Sequence, residues 1–268
     1  MGHLGGPVDL LVAVPLGFVL GFLVGLTGVG GGALVAPALY VLMGLPYGEA
    51  VALSLAYSLF TKLISAAQHL RQGTVRWNIT LWFGVAGIPG ALVGSWLVYW
   101  ADPGTRRALP VIMGVVLVAV SILMVMETTM RGLAAREKPF SPDQIGWPQG
   151  IAIVALQLVV GVLLGTTSVG AGSVVILFMV FLFRMTAREI VGSSIVIALI
   201  MVVPAGMTHY LAGGMNWQLL GALLVGSGIG AILGSKSVML LPDRALRLSI
   251  ALLIVAGAAA SIAKAWWV

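Results

Sequence analysis

The chain has 268 residues, 60% of them hydrophobic and 8% charged, and carries a formal net charge of +6. A bilayer-crossing helix needs roughly 20 apolar residues. The many such runs, with a mean hydropathy of +1.12, point to an all-α polytopic membrane protein rather than a soluble domain or a barrel of short alternating strands. The absence of cysteine excludes disulfides, thiol chemistry and Cys-based metal sites, and the small positive charge sits in loops, where it reads as membrane topology rather than nucleic-acid binding.

The N-terminus "MGHLGGPVDL" lacks the basic stretch of a cleavable signal and leads into the first hydrophobic segment, residues 10–43. That segment is broken by "GLTGVGGGALVAPAL" at 25–39. Glycine costs a helix interior about 1 kcal/mol relative to alanine. A helix break inside a membrane is tolerated only where it is buried in protein or lines a cavity. Glycine permits the non-helical dihedrals and lets a ligand approach the backbone. The helix that restarts around Gly32 to Ala36 opens with free N–H groups and a positive dipole end, which suits an anion. Gly28, Gly30, Gly31 and Gly32 are therefore candidate substrate contacts; close helix packing is the competing explanation. The string "GVGGGA" also fits a dinucleotide fingerprint, but no strand precedes it and no βαβ unit surrounds it.

The next segment, 50–70, opens beside Glu49 and carries Ser54, Ser58, Thr61, Ser65 and Gln68 on one helix face. Lys62 stands near mid-segment, the one charge deep inside any hydrophobic run. It should face a cavity and meet an anion or a carboxylate, unless it snorkels or forms a structural ion pair. His69, near the end of this segment, could gate or relay a proton, or simply cap the helix. Glu49 fits either a transport role or ordinary pairing with the helix dipole. Segments 78–100 and 105–126 follow. The small residues Gly90 and Gly94 read as a packing seam, and Trp77, Trp82, Trp96 and Trp100 as an interfacial belt. "NIT" at 78–80 matches a glycosylation string with no secretory context to support it. A polar linker, residues 127–147, then separates a first repeat (1–126) from a second (148–268).

Displaced by 140 residues, the chain matches itself without a gap. "GFLVGLTGVGGGALV" (21–35) lies on "GVLLGTTSVGAGSVV" (161–175). Glu49 meets Glu189, Ser54 meets Ser194, His69 meets His209, Gly73 meets Gly213 and Trp77 meets Trp217. The second half thus supplies segments 151–183, 190–210, 218–240 and 245–266, giving eight hydrophobic segments and about ten helical pieces in all. Its break, "TTSVGAGS" (166–173), adds Thr167, Ser168, Gly170, Gly172 and Ser173 to the candidate substrate contacts, while His209 and Glu189 join the candidate gating or proton-pathway residues. Lys62 has Val202 as its counterpart, so the halves are chemically unequal. Gly230 and Gly234 repeat the packing seam, and Trp217, Trp266 and Trp267 the aromatic belt.

Charge separates two topologies. If each broken segment crosses once, Lys and Arg divide seven to six between the two sides. If each is a hairpin, re-entrant or fully crossing, Arg71, Arg76, Arg131, Arg136, Lys138, Arg184, Arg188, Lys236, Arg244 and Arg247 share one side, leaving Arg106, Arg107 and Lys264 on the other. Because cytoplasmic loops collect positive charge, the hairpin topology is favoured. It predicts two inverted halves, each a glycine-rich hairpin plus three spanning helices, with the linker cytoplasmic and both termini outside. Inverted repeats with broken helices are a transporter architecture with a midplane site.

The double glycine motif, with "HLRQGTVRWNITLWFGVAGIPGALVGS" and its counterpart "HYLAGGMNWQLLGALLVGSGIGAILGS", resembles the TauE/SafE sulfite exporter family of the toluene sulfonate uptake permease superfamily. The resemblance covers nearly the whole chain. It implies an integral transporter of the cytoplasmic membrane that exports sulfite or an organosulfonate such as sulfoacetate, proton-coupled and working by alternating access. The second motif departs from the first, with Ser168 for Gly28, Ala171 for Gly31 and Leu177 for Pro37. The competing functions are an anion channel on the same fold and an intramembrane lipid-phosphate enzyme; the latter needs carboxylates or histidines at the hairpin tips, where this chain has Gly, Thr and Ser. The reading calls for the lipid bilayer and a small anion as partners, with no enzyme activity, cofactor, metal or nucleic acid, and is compatible with a homodimer.

Overall fold

A computed structural model describes residues 7–27, 32–130, 147–169, 171–183, 185–213, 215–237 and 243–267. The described residues form ten helices: α1 (Pro7–Thr27), α2 (Gly32–Leu42), α3 (Tyr47–Arg71), α4 (Trp77–Trp100), α5 (Pro103–Met130), α6 (Trp147–Thr167), α7 (Ala171–Leu182), α8 (Ala187–Leu211), α9 (Trp217–Ser237) and α10 (Asp243–Trp267). Stretches within α3, α4, α5, α6 and α8 are long and apolar enough to cross a bilayer. The protein is therefore an all-α, multi-pass membrane protein, as its composition requires. α5 continues four residues into the stretch expected to be linker, and 131–146 lie outside the described residues.

Each broken segment becomes two helices of unequal length. α2 has 11 residues and α7 has 12. At about 1.5 Å per residue these reach ~16–18 Å, roughly half the hydrocarbon core of ~30 Å. The second helix of each broken segment is therefore too short to cross the membrane by itself.

The helices pair crosswise between the halves, through small residues. Gly17 and Gly21 of α1 lie against the backbone of Leu223 and Ser227 of α9, while Gly226 and Gly230 of α9 lie against Val14 and Phe18. Gly90 and Gly94 of α4 lie against Leu158 and Val162 of α6, and Gly161 and Gly165 of α6 against the α4 backbone at Gly87 and Ala91. A Cβ at any of these glycines would fall on a backbone atom of the partner helix. Gly90 on Leu158 is the 140-residue counterpart of Gly230 on Phe18, and Gly161 on Gly87 that of Gly21 on Ser227. The seam read from Gly90, Gly94 and Gly230 is a helix-packing device; the side of α9 at Gly234 lies outside the described residues.

Residue order along these contacts gives the helix directions. α1 runs parallel to α9, and α4 parallel to α6, because residue numbers rise together along each contact. α3 and α8 are antiparallel: His69, at the end of α3, lies against Gly192 at the start of α8, and His209, near the end of α8, is hydrogen-bonded to Tyr99, whose hydroxyl also donates to the Gly48 carbonyl at the start of α3. Tight turns join α3 to α4 and α8 to α9, with Gly73 and Gly213 at φ +65° and +78°, a region glycine enters without a Cβ penalty.

The lipid-facing surface is apolar, including Leu11, Leu81, Val85, Ile151 and Val225. Exposed Trp77 and Trp217 open α4 and α9, and Trp100 closes α4, the positions an interfacial belt requires. Two buried clusters fill the interior. One joins α1, α2 and α3 to α9 and α10 through Leu20, Leu39, Tyr57, Leu223 and Ile254. The other joins α3, α4, α6, α7 and α8 through Leu55, Phe83, Leu164, Met179 and Met201.

Candidate functional site

The second break lies against the first helix restart. α6 ends at Thr167, and Ser168 takes a left-handed conformation with φ +62°. Few residues other than glycine adopt this conformation, and its first-half counterpart is Gly28. Thr167 Oγ1 donates to the Leu163 carbonyl at 2.6 Å and accepts from the Val169 amide at 3.1 Å, so it closes the helix end. Ser168 Oγ donates to Ser54 Oγ of α3 at 3.0 Å, and both side chains are buried. Gly32, the first residue of α2, presses on the Ser168 carbonyl so closely that no Cβ could be accommodated. Nothing lies within 4 Å of a Cβ at Gly172, its counterpart at the start of α7. Gly28, Gly30, Gly31 and Gly170 lie outside the described residues, as does the side chain of Ser173.

The polar face of α3 changes character along its length. Ser54 and Ser58 are buried. Ser58 Oγ has no hydrogen-bond partner among the described residues. Thr61 instead donates to its own helix, at the Tyr57 and Ser58 carbonyls, and Ser65 donates to the Thr61 carbonyl. Lys62 is one turn beyond Ser58 and shares the inward side of α3 with Val51, Leu55 and Ala66, opposite the exposed Phe60, Leu63 and Ile64. No ion pair involves it among the described residues. An unpaired ammonium on an inward helix face, next to an unpaired buried hydroxyl, is an arrangement that can receive an anion. Val202, its counterpart, is fully buried in the apolar cluster.

The gating candidates separate to the two ends of the α3–α8 pair. At one end, Arg76 Nη2 meets Glu189 Oε1 at 2.6 Å, and Arg76 Nε donates to the same oxygen at 2.8 Å. Glu189 also completes a capping box with Thr186 at the start of α8. The Arg76 amide donates to Ser193 Oγ at 2.9 Å, and His69 Nδ1 lies 2.9 Å from Thr74 Oγ1 in the α3–α4 turn. At the other end His209 is fully buried. Its Nε2 is 3.1 Å from the Gly165 carbonyl, which can only accept, so Nε2 carries a proton. Its Nδ1 is 2.9 Å from the Tyr99 hydroxyl. Glu49, beside Gly48, is half-buried in the first turn of α3.

Two groups outside the sequence-based set belong with these. Ser95 Oγ and both amide atoms of Gln157 are buried without partners among the described residues. Gln157 interrupts an apolar run from Ile151 to Leu156 and Leu158 to Leu164. An amide inside such a run is a functional signal in its own right. Tyr99, which links α4 to His209, had no such signal, because a tyrosine near a helix end reads as an interface residue.

A family model described as "Sulfite exporter TauE/SafE" matches residues 13–261. Among similar curated proteins of Bacillus subtilis, the probable membrane transporter protein YjnA is 30% identical over 82% of this chain and 87% of its own length. YunE, also a probable membrane transporter protein, is 25% identical over 85% and 88%, and YdhB, named likewise, is 26% identical over 87% and 92%. No solved structure matches the chain.

Proposed function

The chain belongs to the sulfite exporter TauE/SafE family, and we propose that it is a secondary transporter exporting a small sulfur-containing oxyanion, sulfite or an organosulfonate such as sulfoacetate, coupled to protons. The observation that carries this reading is the meeting of the two breaks: Gly32 at the start of α2 against Ser168 at the end of α6, tied to Ser54 of α3. A helix start with free N–H groups, buried hydroxyls and, further along the same helix face, the ammonium of Lys62 make an electropositive path for an anion. Sulfonates and sulfite present several acceptor oxygens to such donors.

The opposed directions of α3 and α8, and the crosswise pairing of α1 with α9 and α4 with α6, support inverted halves that rock about this meeting point. On that reading the Arg76–Glu189 bridge lies at the cytoplasmic end, with the 127–147 linker, and His209 with Tyr99 at the outer end. His209 and Glu49 are then titratable groups at the outer end that can serve proton coupling. Reagent access to Ser141→Cys tests the orientation: labelling from the cytoplasmic side only is expected, and labelling by an impermeant reagent from outside overturns it. Solid-supported-membrane electrophysiology with sulfite, sulfoacetate, sulfate and chloride at several pH values tests the transport reading. Currents that favour the sulfur anions and change with the pH gradient are expected. Equal currents for chloride, insensitive to that gradient, would point to an anion channel instead.

A further inference from the structure

We infer that Gln157 is a substrate-binding residue at a second position along that electropositive path, away from the meeting of the breaks: its amide faces the same interior as Lys62 and Ser58, donates through Nε2 to an anion oxygen, and through Oε1 accepts from the Lys62 ammonium when the anion is bound there. This inference deepens the transport reading above and rests on it.

Three observations support it. The first is burial without partners. Gln157 is fully buried, and neither amide atom has a hydrogen bond among the described residues. An unpaired buried amide carries a large desolvation cost, which a ligand or the ordered groups around it would relieve.

The second is depth. α6 and α3 run in opposite directions, and two hydrogen bonds tie the end of α6 to the first half of α3: the Tyr47 hydroxyl donates to the Thr166 carbonyl at 2.7 Å, and Ser168, just past α6, to Ser54. Gln157 is about three turns back along α6 from those contacts. Ser58 is about three turns forward along α3 from Tyr47, and Lys62 about two turns forward from Ser54. On α6, Gln157 is flanked by Ile153, Val160 and Leu164, and on α3, Lys62 shares a face with Val51 and Leu55. All five of those apolar residues belong to one buried cluster. Gln157, Ser58 and Lys62 are thus three polar groups without hydrogen-bond or ion-pair partners among the described residues, at similar depth, beside one apolar cluster.

The third is the repeat. Gln157 occupies the position of Gly17, which in the other half lies directly against the Leu223 backbone. The second half places an amide where the first half has helix contact. Lys62 and Val202 differ in the same way. The first half supplies the charge through α3, and the second supplies the amide through α6, so one asymmetric site draws one polar group from each half. A cation, a hydroxyl and an amide N–H are all donors to a small oxyanion, and the amide oxygen can accept from the ammonium.

The test is equilibrium binding of sulfite and sulfoacetate, with chloride as control, to the full chain in nanodiscs, alongside thermal stability. Gln157→Leu and Gln157→Met keep the volume and remove the amide, which for an unpaired buried group is neutral or stabilising. Both variants are expected to keep or raise Tm while sulfur-anion affinity falls about tenfold or more, the factor that ~1.4 kcal/mol represents. Gln157→Glu should abolish binding, because its carboxylate pairs with Lys62. Unchanged affinity in a folded Gln157→Leu or Gln157→Met protein overturns the inference while leaving the transport reading intact. A wild-type chain that binds chloride but neither sulfur anion overturns both. Loss of Tm in both variants with unchanged affinity assigns Gln157 to structure and also overturns the inference.

Discussion

The two halves of the molecule share their packing and differ in their chemistry. The same glycine contacts recur at a displacement of 140 residues, Gly90 on Leu158 and Gly230 on Phe18, so the helix seams are duplicated almost residue for residue. The polar positions are not. In the repeat Lys62 corresponds to Val202, Ser168 to Gly28, Gln157 to Gly17, and Arg76 to Asn216. Asn216 uses its side chain to accept from the Leu219 amide at the start of α9, whereas Arg76 reaches across to Glu189. Packing tolerates duplication because each seam needs only small residues at fixed spacing. A single site between two halves needs one set of ligands, and a second copy of each charge would be a buried ion without a partner.

The largest expected effect breaks the shared part. Gly90→Val would drive its side chain into the Leu158 carbonyl. Overpacking of this kind costs about 1–3 kcal/mol or more, here against a rigid backbone, so the protein should lose its monodisperse peak on size exclusion. Gly228→Ala, where nothing lies within 4 Å, should leave it unchanged.

The next contrast separates the two breaks. Gly32→Ala puts a methyl group on the Ser168 carbonyl, while Gly172→Ala meets open space. Transport currents should be abolished by the first and changed less than about threefold by the second, a difference under ~1 kcal/mol. Equal losses in both would mean that the breaks are equivalent after all.

Lys62→Met sharpens the chemical asymmetry. A lost charge-assisted hydrogen bond is worth about 1.5–3 kcal/mol, so anion affinity should fall tenfold to a hundredfold. Val202→Met, the same substitution product at the paired position, should change affinity little. If the two variants bind alike, the cation of α3 is structural.

The smallest effect is expected at Arg76→Gln. Its side chain and that of Glu189 are 48% and 19% exposed, and exposed ion pairs are worth about 0–1 kcal/mol. Tm should shift slightly, while the rate of transport rises or falls because the bridge joins the halves at one end of α3 and α8. No change in rate at low or high salt would remove the bridge from the gating account.

Much of this architecture is legible in the sequence. The repeat and the eight hydrophobic segments predict the helix order, because apolar length and glycine breaks are local properties. The packing role of Gly90 and Gly94 is legible for the same reason, since small residues four apart make a seam. What needed three dimensions was convergence. Nothing in "TTSVGAGS" indicates that Ser168 would reach Ser54, and nothing in the α3 stripe separates Ser58, left unpaired, from Thr61, which bonds to its own helix. Gln157 was visible as an amide in an apolar run, but its meaning depends on the depth at which α6 passes α3. The capping role of Glu189 was legible from Thr186 three residues before it; its bridge to Arg76 was not, because the partners are brought together by the antiparallel contact of α3 with α8.

The central claim is that the anion's path runs through the point where the breaks meet, and the cysteine-free chain allows a direct test. Ser54→Cys places a thiol at the Ser168 contact, and its rate of modification by a small water-soluble thiol reagent can be followed with and without sulfoacetate. The account predicts that sulfoacetate slows labelling of Ser54→Cys in proportion to site occupancy and leaves Ser121→Cys, buried on α5, unaffected. Identical labelling of Ser54→Cys at sulfoacetate concentrations that saturate the transport current would contradict it.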